Sequence, residues 1–403
     1  MELYLQFAHG MKQLSIDLAK DWGGSTVILS PRDMTPTQLE RWANSFKKAN
    51  IRTLFDPQCY YPKSNHKTLV QYEYWDDKFG TKLGGTSNFE EHLIESIYEY
   101  NKIAGTSDFI IPSMMFSYDE EWLKRWNRNN LKLIKATKKI VKNKRHILTI
   151  TLPEAFLLQR EEEIEKVIKI AEKYDVDGYY IIASPPREKY LVDEPIWLVN
   201  LMQLCGGLKL QEKKVIMGYG NHQLLCLTMA GVDAMATGTY LNVRRFTNKF
   251  EVNTSIKRKS VWYYYPAALS EYKLGFLDMA SNYNLLESMK PNKEMDNGYV
   301  EILFKGALPS STKFTETMAF KHYLNCIRIQ MKNLSKLTFR ETVDSYELLL
   351  ETATRRIESL ESNGIYAQTR SFKDIVDVNK SAIQRLNKNL GFQLSREWSN
   401  LQS

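Results

Sequence analysis

Cysteine is scarce in this chain, four residues in 403, and Cys59, Cys205, Cys226 and Cys326 lie far apart. No Cys-x-x-Cys pair occurs, which disfavours a disulfide framework and a zinc site built from neighbouring ligands. The thiols read instead as small buried hydrophobes. No apolar run approaches eighteen residues and charged residues make up 25% of the chain, which excludes a membrane-spanning chain. The start, Met-Glu-Leu-Tyr, lacks the basic-then-apolar layout of a secretory signal, so the expectation is a soluble, cytoplasmic protein. Low-complexity tracts are missing too, and a hydrophobic fraction of 43% is enough to bury a full-sized core. Lys and Arg outnumber Asp and Glu by 55 to 47, spread as 34 against 30 in residues 1–250 and 21 against 17 beyond. No basic tail carries that excess, which permits a polyanionic partner without requiring one.

Eight short runs rich in β-branched and aromatic residues recur over the first 240 residues: 3–8, 26–30, 51–56, 108–113, 147–151, 178–183, 214–217 and 232–237. Each gives way within two residues to Pro, Gly, Ser or Asp and is followed by a helical pattern. IRTLF, DFIIP and GYYIIA are apolar almost throughout, as strands covered on both faces must be. Thr35 with Gln38, Ser87 with Glu90 and Ser117 with Glu120 have the spacing of helix-opening capping boxes. Eight strand-and-helix units predict an α/β fold, a (β/α)8 TIM barrel over 1–245. An open dinucleotide-binding sheet is disfavoured, because no G-x-G-x-x-G follows the first strand. The link 57–107 is expected to hold a loop or lid and one helix near 89–103. Beyond Arg245 the strand signal fades: 246–314 reads as a connecting segment and 315–403 as a C-terminal helical appendage. Its helices are expected near 317–333, after the box Thr338 to Glu341 with a stop at Asn363-Gly364, and after Ser371 to Asp374.

A barrel builds its active site at the C-terminal ends of its strands. Ser30, Asp33, Ser113 and Ser184 stand there, and their ordinary roles in caps and turns account for them. Asp56 differs: it ends a strand of buried type, where an ionised carboxylate is costly unless partnered or used. Asp119 and Glu154 follow strands four and five, and Gln58 follows Asp56. Gly218-Tyr219-Gly220-Asn221, after strand seven, and Thr237-Gly238, ending strand eight, suit close approach by a base or nucleotide; a tight turn explains the first nearly as well. His9 and His222 have no Ser or Cys beside them to suggest covalent catalysis, and no ligand spacing asks for a metal. No cofactor is expected. The run Lys132 to Arg145 reads as a solvated helix face. Arg244, Arg245, Lys257, Arg258 and Lys259, followed by Trp262-Tyr263-Tyr264-Tyr265, put basic groups beside stackable rings, as a nucleic-acid contact needs; core packing is an equal alternative for the rings.

In order along the chain, several fragments resemble the tRNA-guanine transglycosylase family, whose barrels exchange guanine in nucleic acid for a 7-deazaguanine. KKVIMGYGNHQLLCLTMAGVDAMATGTYLNVRRF is similar to the family's stretch from its seventh strand to the eighth, and VDGYYIIAS to the strand before. TLFDPQCYYP stands where the family has Asp-Ser-Gly-Gly-Phe-Gln, and FSYDEEW with Arg125-Trp126 resembles its Phe-Asp-Glu and Arg-x-x-Trp pieces. The likeness spans roughly residues 50–245. It implies that Asp56 is the general acid/base, that Asp119 contacts the heterocycle, and that Gly218 and Gly220 let the base approach the backbone. The chain departs from the pattern at the family's nucleophilic aspartate, where Ala236 stands, and it has no Cys-x-Cys-x-x-Cys zinc site. In size it is closer to the 7-deazaguanine DNA-modification transglycosylases. The expectation is a barrel that binds a purine or 7-deazapurine base, in DNA or RNA, and acts at its N-glycosidic bond by pentosyl transfer, with Asp56 assisted by Asp119 or Glu154. The alternatives are a catalytically degenerate barrel serving as a nucleic-acid-binding or partner-binding subunit, with its C-terminal helices as the protein interface, and an enzyme holding a phosphorylated metabolite on the loops after strands seven and eight.

Overall fold

A computed structural model describes residues 1–62, 66–75, 89–247 and 260–402. Its main sheet has eight parallel strands: β1 (Glu2–Gln6), β2 (Ser25–Leu29), β3 (Ile51–Phe55), β4 (Asp108–Ile111), β5 (Arg145–Leu152), β6 (Gly178–Ala183), β7 (Lys214–Met217) and β8 (Ala234–Thr237). Their hydrogen-bonded order, β3-β2-β1-β8-β7-β6-β5-β4, brings first and last strands together and leaves the β3/β4 seam without a ladder. Across that seam the Ser107 N–H donates to the Thr53 carbonyl (3.1 Å), and the Thr53 hydroxyl donates to the Ala104 carbonyl (2.9 Å). The result is a nearly closed (β/α)8 barrel. Almost every strand residue past the first is buried, because helices cover the outside while side chains fill the interior.

Helices α1 (Met11–Trp22), α2 (Pro36–Lys48), α3 (Phe89–Ala104), α4 (Trp122–Ile140), α5 (Glu154–Leu157), α6 (Glu161–Ala171) and α7 (Pro195–Lys209) follow the first six strands. The Thr35 box forms as expected, Thr35 Oγ1 accepting from the Gln38 N–H and Gln38 Oε1 from the Thr35 N–H. Ser87 lies outside the described residues. Ser117 caps nothing: α4 starts only at Trp122, because Asp119 turns the chain first by accepting from the Glu121 N–H (2.9 Å). On the lysine-rich face of α4, Lys132 pairs with Glu90 (3.0 Å) and Lys139 with Glu91 (2.5 Å) on α3.

Directly after β7 and β8 the described chain makes only short 3-10 segments, His222–Thr228 and Leu241–Val243. The wall is covered there from the far end of the sequence. An antiparallel hairpin of β9 (Trp262–Tyr265) and β10 (Ser270–Lys273), missed because an all-aromatic run carries no alternation, leads to α8 (Leu274–Asn282), α9 (Glu316–Leu334), α10 (Phe339–Glu361) and α11 (Val376–Leu401). Tyr263, Tyr264 and Tyr265 are buried, so core packing explains that run. Helix α9 lies against β1, α1 and the 222–228 segment, and α11 lies along α7. A Cβ on Gly206 of α7 would come within 3.1 Å of Leu390 on α11, a closeness that excludes a larger residue. The box at Thr338 forms, and Gly364, at φ 75°, ends α10. Ser371 makes a local turn with the Lys373 N–H (3.2 Å) instead of capping α11, which begins at Val376. No described helix is long and apolar enough to cross a membrane.

Candidate functional site

Asp56 follows β3 at the C-terminal mouth and is 1% exposed. Such a carboxylate persists only with donors around it, and four converge. The Gln58 N–H donates to Oδ1 (3.0 Å) and the Tyr60 hydroxyl bridges both oxygens (2.8 and 2.9 Å). The hydroxyls of Tyr180 on β6 and Tyr219 after β7 stand 3.3 Å from Oδ2. Gln58 fixes this shell: its amide donates to Ser30 Oγ (2.9 Å) and to the Tyr219 oxygen (3.0 Å), which frees the Tyr219 proton for Asp56, and its carbonyl accepts from the Arg32 N–H (2.9 Å). Tyr180 shares its proton with Gln6 (3.0 Å) on β1. Burial pushes the Asp56 carboxyl up to about 6, the hydroxyl and amide donors opposing it. A proton-transfer group needs an affinity in that region.

Phe246 roofs the shell, its ring 5.2 Å from Tyr60 and 5.4 Å from Tyr219, both edge-on. Its other side lines a cavity of about 260 Å³ at the mouth, with Tyr61, Phe116, Ser184, Glu154 and Glu188. Glu154 opens α5 and is half-buried there. The cavity has aromatic walls and carboxylate acceptors, a combination that suits a flat heterocycle with N–H donors.

No protein-family model and no curated protein matches the chain. Solved structures similar to it are other proteins' barrels and domains, all remote in sequence. A match to the 3-dehydroquinate dehydratase from Aquifex aeolicus covers 59% of this chain and 90% of that one, at 12% identity and TM-score 0.34. A match to an aldolase covers 61% and 91%, at 11% and 0.35. A third, to the carboxyl transferase domain from Rhizobium etli pyruvate carboxylase, covers 96% of this chain but 61% of that one, at 11% and 0.37.

The remaining candidates separate. Asp119 does not reach Asp56: it is exposed on the loop before α4 and paired with Arg125 (2.8 Å). The two glycines around Tyr219 are packed tightly against the protein itself. A Cβ on Gly218 would meet the Tyr180 ring at 2.6 Å, and one on Gly220 would meet Met235 at 2.5 Å. Tyr219 itself takes a positive φ of 54°, which turns its ring inward to Asp56. Gly218→Ala is therefore expected to destabilise the fold by roughly 1–3 kcal/mol, measurable by denaturant unfolding; an unchanged midpoint would show that Tyr180 can yield. Asn221 is structural, donating to the Tyr190 (2.7 Å) and Arg244 (3.1 Å) carbonyls and accepting from the Gln223 N–H (2.8 Å). Thr237 and Gly238 are inside the barrel mouth, where a Cβ on Gly238 would come within 2.5 Å of the Gln6 carbonyl. Ala236 is fully buried, and its carbonyl accepts from the Gly220 N–H (2.8 Å). Asp233 is at the opposite end of the barrel, paired with Lys209 (2.9 Å).

Arg244 cannot touch nucleic acid in this arrangement, since it is 2% exposed and drawn inward by an acid. It donates to Glu271 (3.2 Å) and to the Gly238 carbonyl (2.9 Å), and packs 3.5 Å from the centre of the Tyr323 ring. Arg370 (2.7 Å) and the Tyr190 hydroxyl (2.9 Å) bind the same Glu271. Arg245 is half-buried, and Lys257, Arg258 and Lys259 lie outside the described residues. His222, lowered to about 4 by burial, is neutral and packs among Tyr190, Tyr264, Tyr323 and Phe372. Among the described residues, no group of three or more His, Cys, Asp or Glu side chains could hold a metal ion. Sequence reasoning missed Tyr60, Tyr180 and Phe246; a tyrosine inside an otherwise aliphatic strand was the available signal for Tyr180.

Proposed function

We propose that this barrel binds a purine or 7-deazapurine base carried by nucleic acid in the mouth cavity and acts at its N-glycosidic bond. The observation that carries the reading is Asp56: a carboxyl near pH 6, held by tyrosines one ring layer beneath an aromatic cavity of base size. The base leaves the sugar with the bonding electron pair and takes the Asp56 proton. The sugar cation is captured by an incoming base or by water, whose lost proton returns to Asp56. Ala236 offers no carboxylate, so no covalent sugar-enzyme bond enters this route. Phe246 has to swing aside for Asp56 to meet the base, and Glu154 accepts hydrogen bonds from the base edge.

The test is exchange of radiolabelled guanine, or of a 7-deazaguanine, into duplex DNA and folded RNA. Wild-type protein is expected to exchange or release base, and Asp56→Asn to do neither; equal turnover in that variant would sink the assignment. A second reading, a barrel that binds nucleic acid or a protein partner without chemistry, is favoured by Ala236 and by Phe392, which stands 79% exposed on α11. It predicts tight association with no base released. For either reading that involves nucleic acid, affinity must fall as salt rises.

A further inference from the structure

At the end of the barrel opposite the mouth lies a cavity of about 590 Å³, bordered by the start of β2, the end of α1 and one face of α9. Three cationic side chains line it, Arg52, Arg328 and Lys332, against one carboxylate, Glu2. Glu2 is committed to Arg52 (3.3 Å). Arg328 and Lys332 are one helical turn apart on α9 and have no acidic partner among the described residues. Arg328 lies over the Trp22 ring, 5.2 Å from its centre, and the Trp22 indole N–H donates to Asn325 (3.1 Å) on the same face of α9. The cation thus lies against an aromatic ring while its N–H groups have no acid to bind, and they can take an oxyanion by charge-assisted hydrogen bonds.

From these features we infer that the cavity binds a phosphorylated small molecule, its phosphate oxygens taken by Arg328 and Lys332. The volume accommodates more than a bare phosphate and extends to a nucleotide. Such a ligand would touch α1, β2 and α9 together, so it would bind the folded chain and not the unfolded one. This inference is independent of the chemistry proposed for the mouth.

The test is thermal unfolding of the full chain with pyrophosphate and with ATP, against potassium chloride at matched ionic strength. A ligand confined to the folded state raises the unfolding temperature progressively with concentration; a rise of about 2 °C or more that chloride does not reproduce is expected. Arg328→Ala with Lys332→Ala should fold normally, since neither side chain pairs with an acid, and should weaken binding by calorimetry about 10-fold or more. Asp56→Asn should keep the full effect, which separates this site from the mouth. The absence of a rise with either phosphate compound, an equal rise with chloride, or undiminished binding in the double variant would each overturn the inference.

Discussion

Glu271→Ala is expected to cost the fold about 3–5 kcal/mol, the usual loss when one partner of a buried ion pair is removed. Glu271 accepts from Tyr190, Arg244 and Arg370, which arrive from the loops after β6 and β8 and from the segment between α10 and α11, while Glu271 sits on the β9–β10 hairpin. Without the carboxylate, Arg244 is left buried and charged beside Tyr323, with the Gly238 carbonyl as its remaining strong acceptor. Burial alone would raise the Glu271 carboxyl, but Arg244 and Arg370, with the Tyr190 hydroxyl, hold it below the ordinary glutamate value. Its contribution is therefore present above the pKa of the unfolded glutamate and is lost as pH falls through the depressed folded value. Urea unfolding at pH 7 measures the loss, and a change under 1 kcal/mol would show that the two arginines find water or other acceptors.

Asp56→Asn should act in opposite directions on activity and stability. Loss of a positioned proton-transfer group lowers turnover by about 10²–10⁴-fold, whereas stability depends on the cost of ionising a buried acid. The Asp56 carboxyl is raised to about 6 in the folded chain from an ordinary value of 3.8, so the folded state binds the proton more tightly. Its stability contribution is complete below the unfolded value and is lost as pH climbs through 6, by about 3 kcal/mol in all. Asparagine does not titrate. The variant's stability relative to wild type should therefore rise between pH 4 and pH 7, and its unfolding temperature at pH 7.5 should equal or exceed that of wild type. A variant that is both inactive and strongly destabilised at pH 7.5 would mark Asp56 as a structural acceptor for the tyrosines.

Much of this barrel was legible in the sequence because its strands are buried on both faces. IRTLF and GYYIIA carry too little polarity to be anything but covered strands, and six of the eight connections carry helical signals of ordinary length. Asp56 was legible for the same reason, as a charge ending an apolar run. Its partners were not: Tyr180 and Tyr219 are 124 and 163 positions away, on β6 and just after β7, strands that do not neighbour β3, and only curvature of the sheet into a barrel brings them together across its interior. The glycines of GYGN were legible as tight positions, but the cause is the bulk of Tyr180 and Met235 on neighbouring strands, which no local pattern reveals. Arg244 looked like a surface cation because the acid that draws it inward is 27 positions downstream, on a hairpin with no alternating pattern.

The covering of the barrel wall by α9 and α11 also sets an order of events during synthesis. All eight strands are made by Thr237, yet the helix that covers β1 follows some eighty residues later and the one that flanks α7 later still. A nascent chain emerging from the ribosome therefore carries a complete set of strands with part of their apolar outer surface still wet. Final closure waits for α9 and α11, and premature termination before α9 leaves a sticky product that chaperones or proteases have to handle.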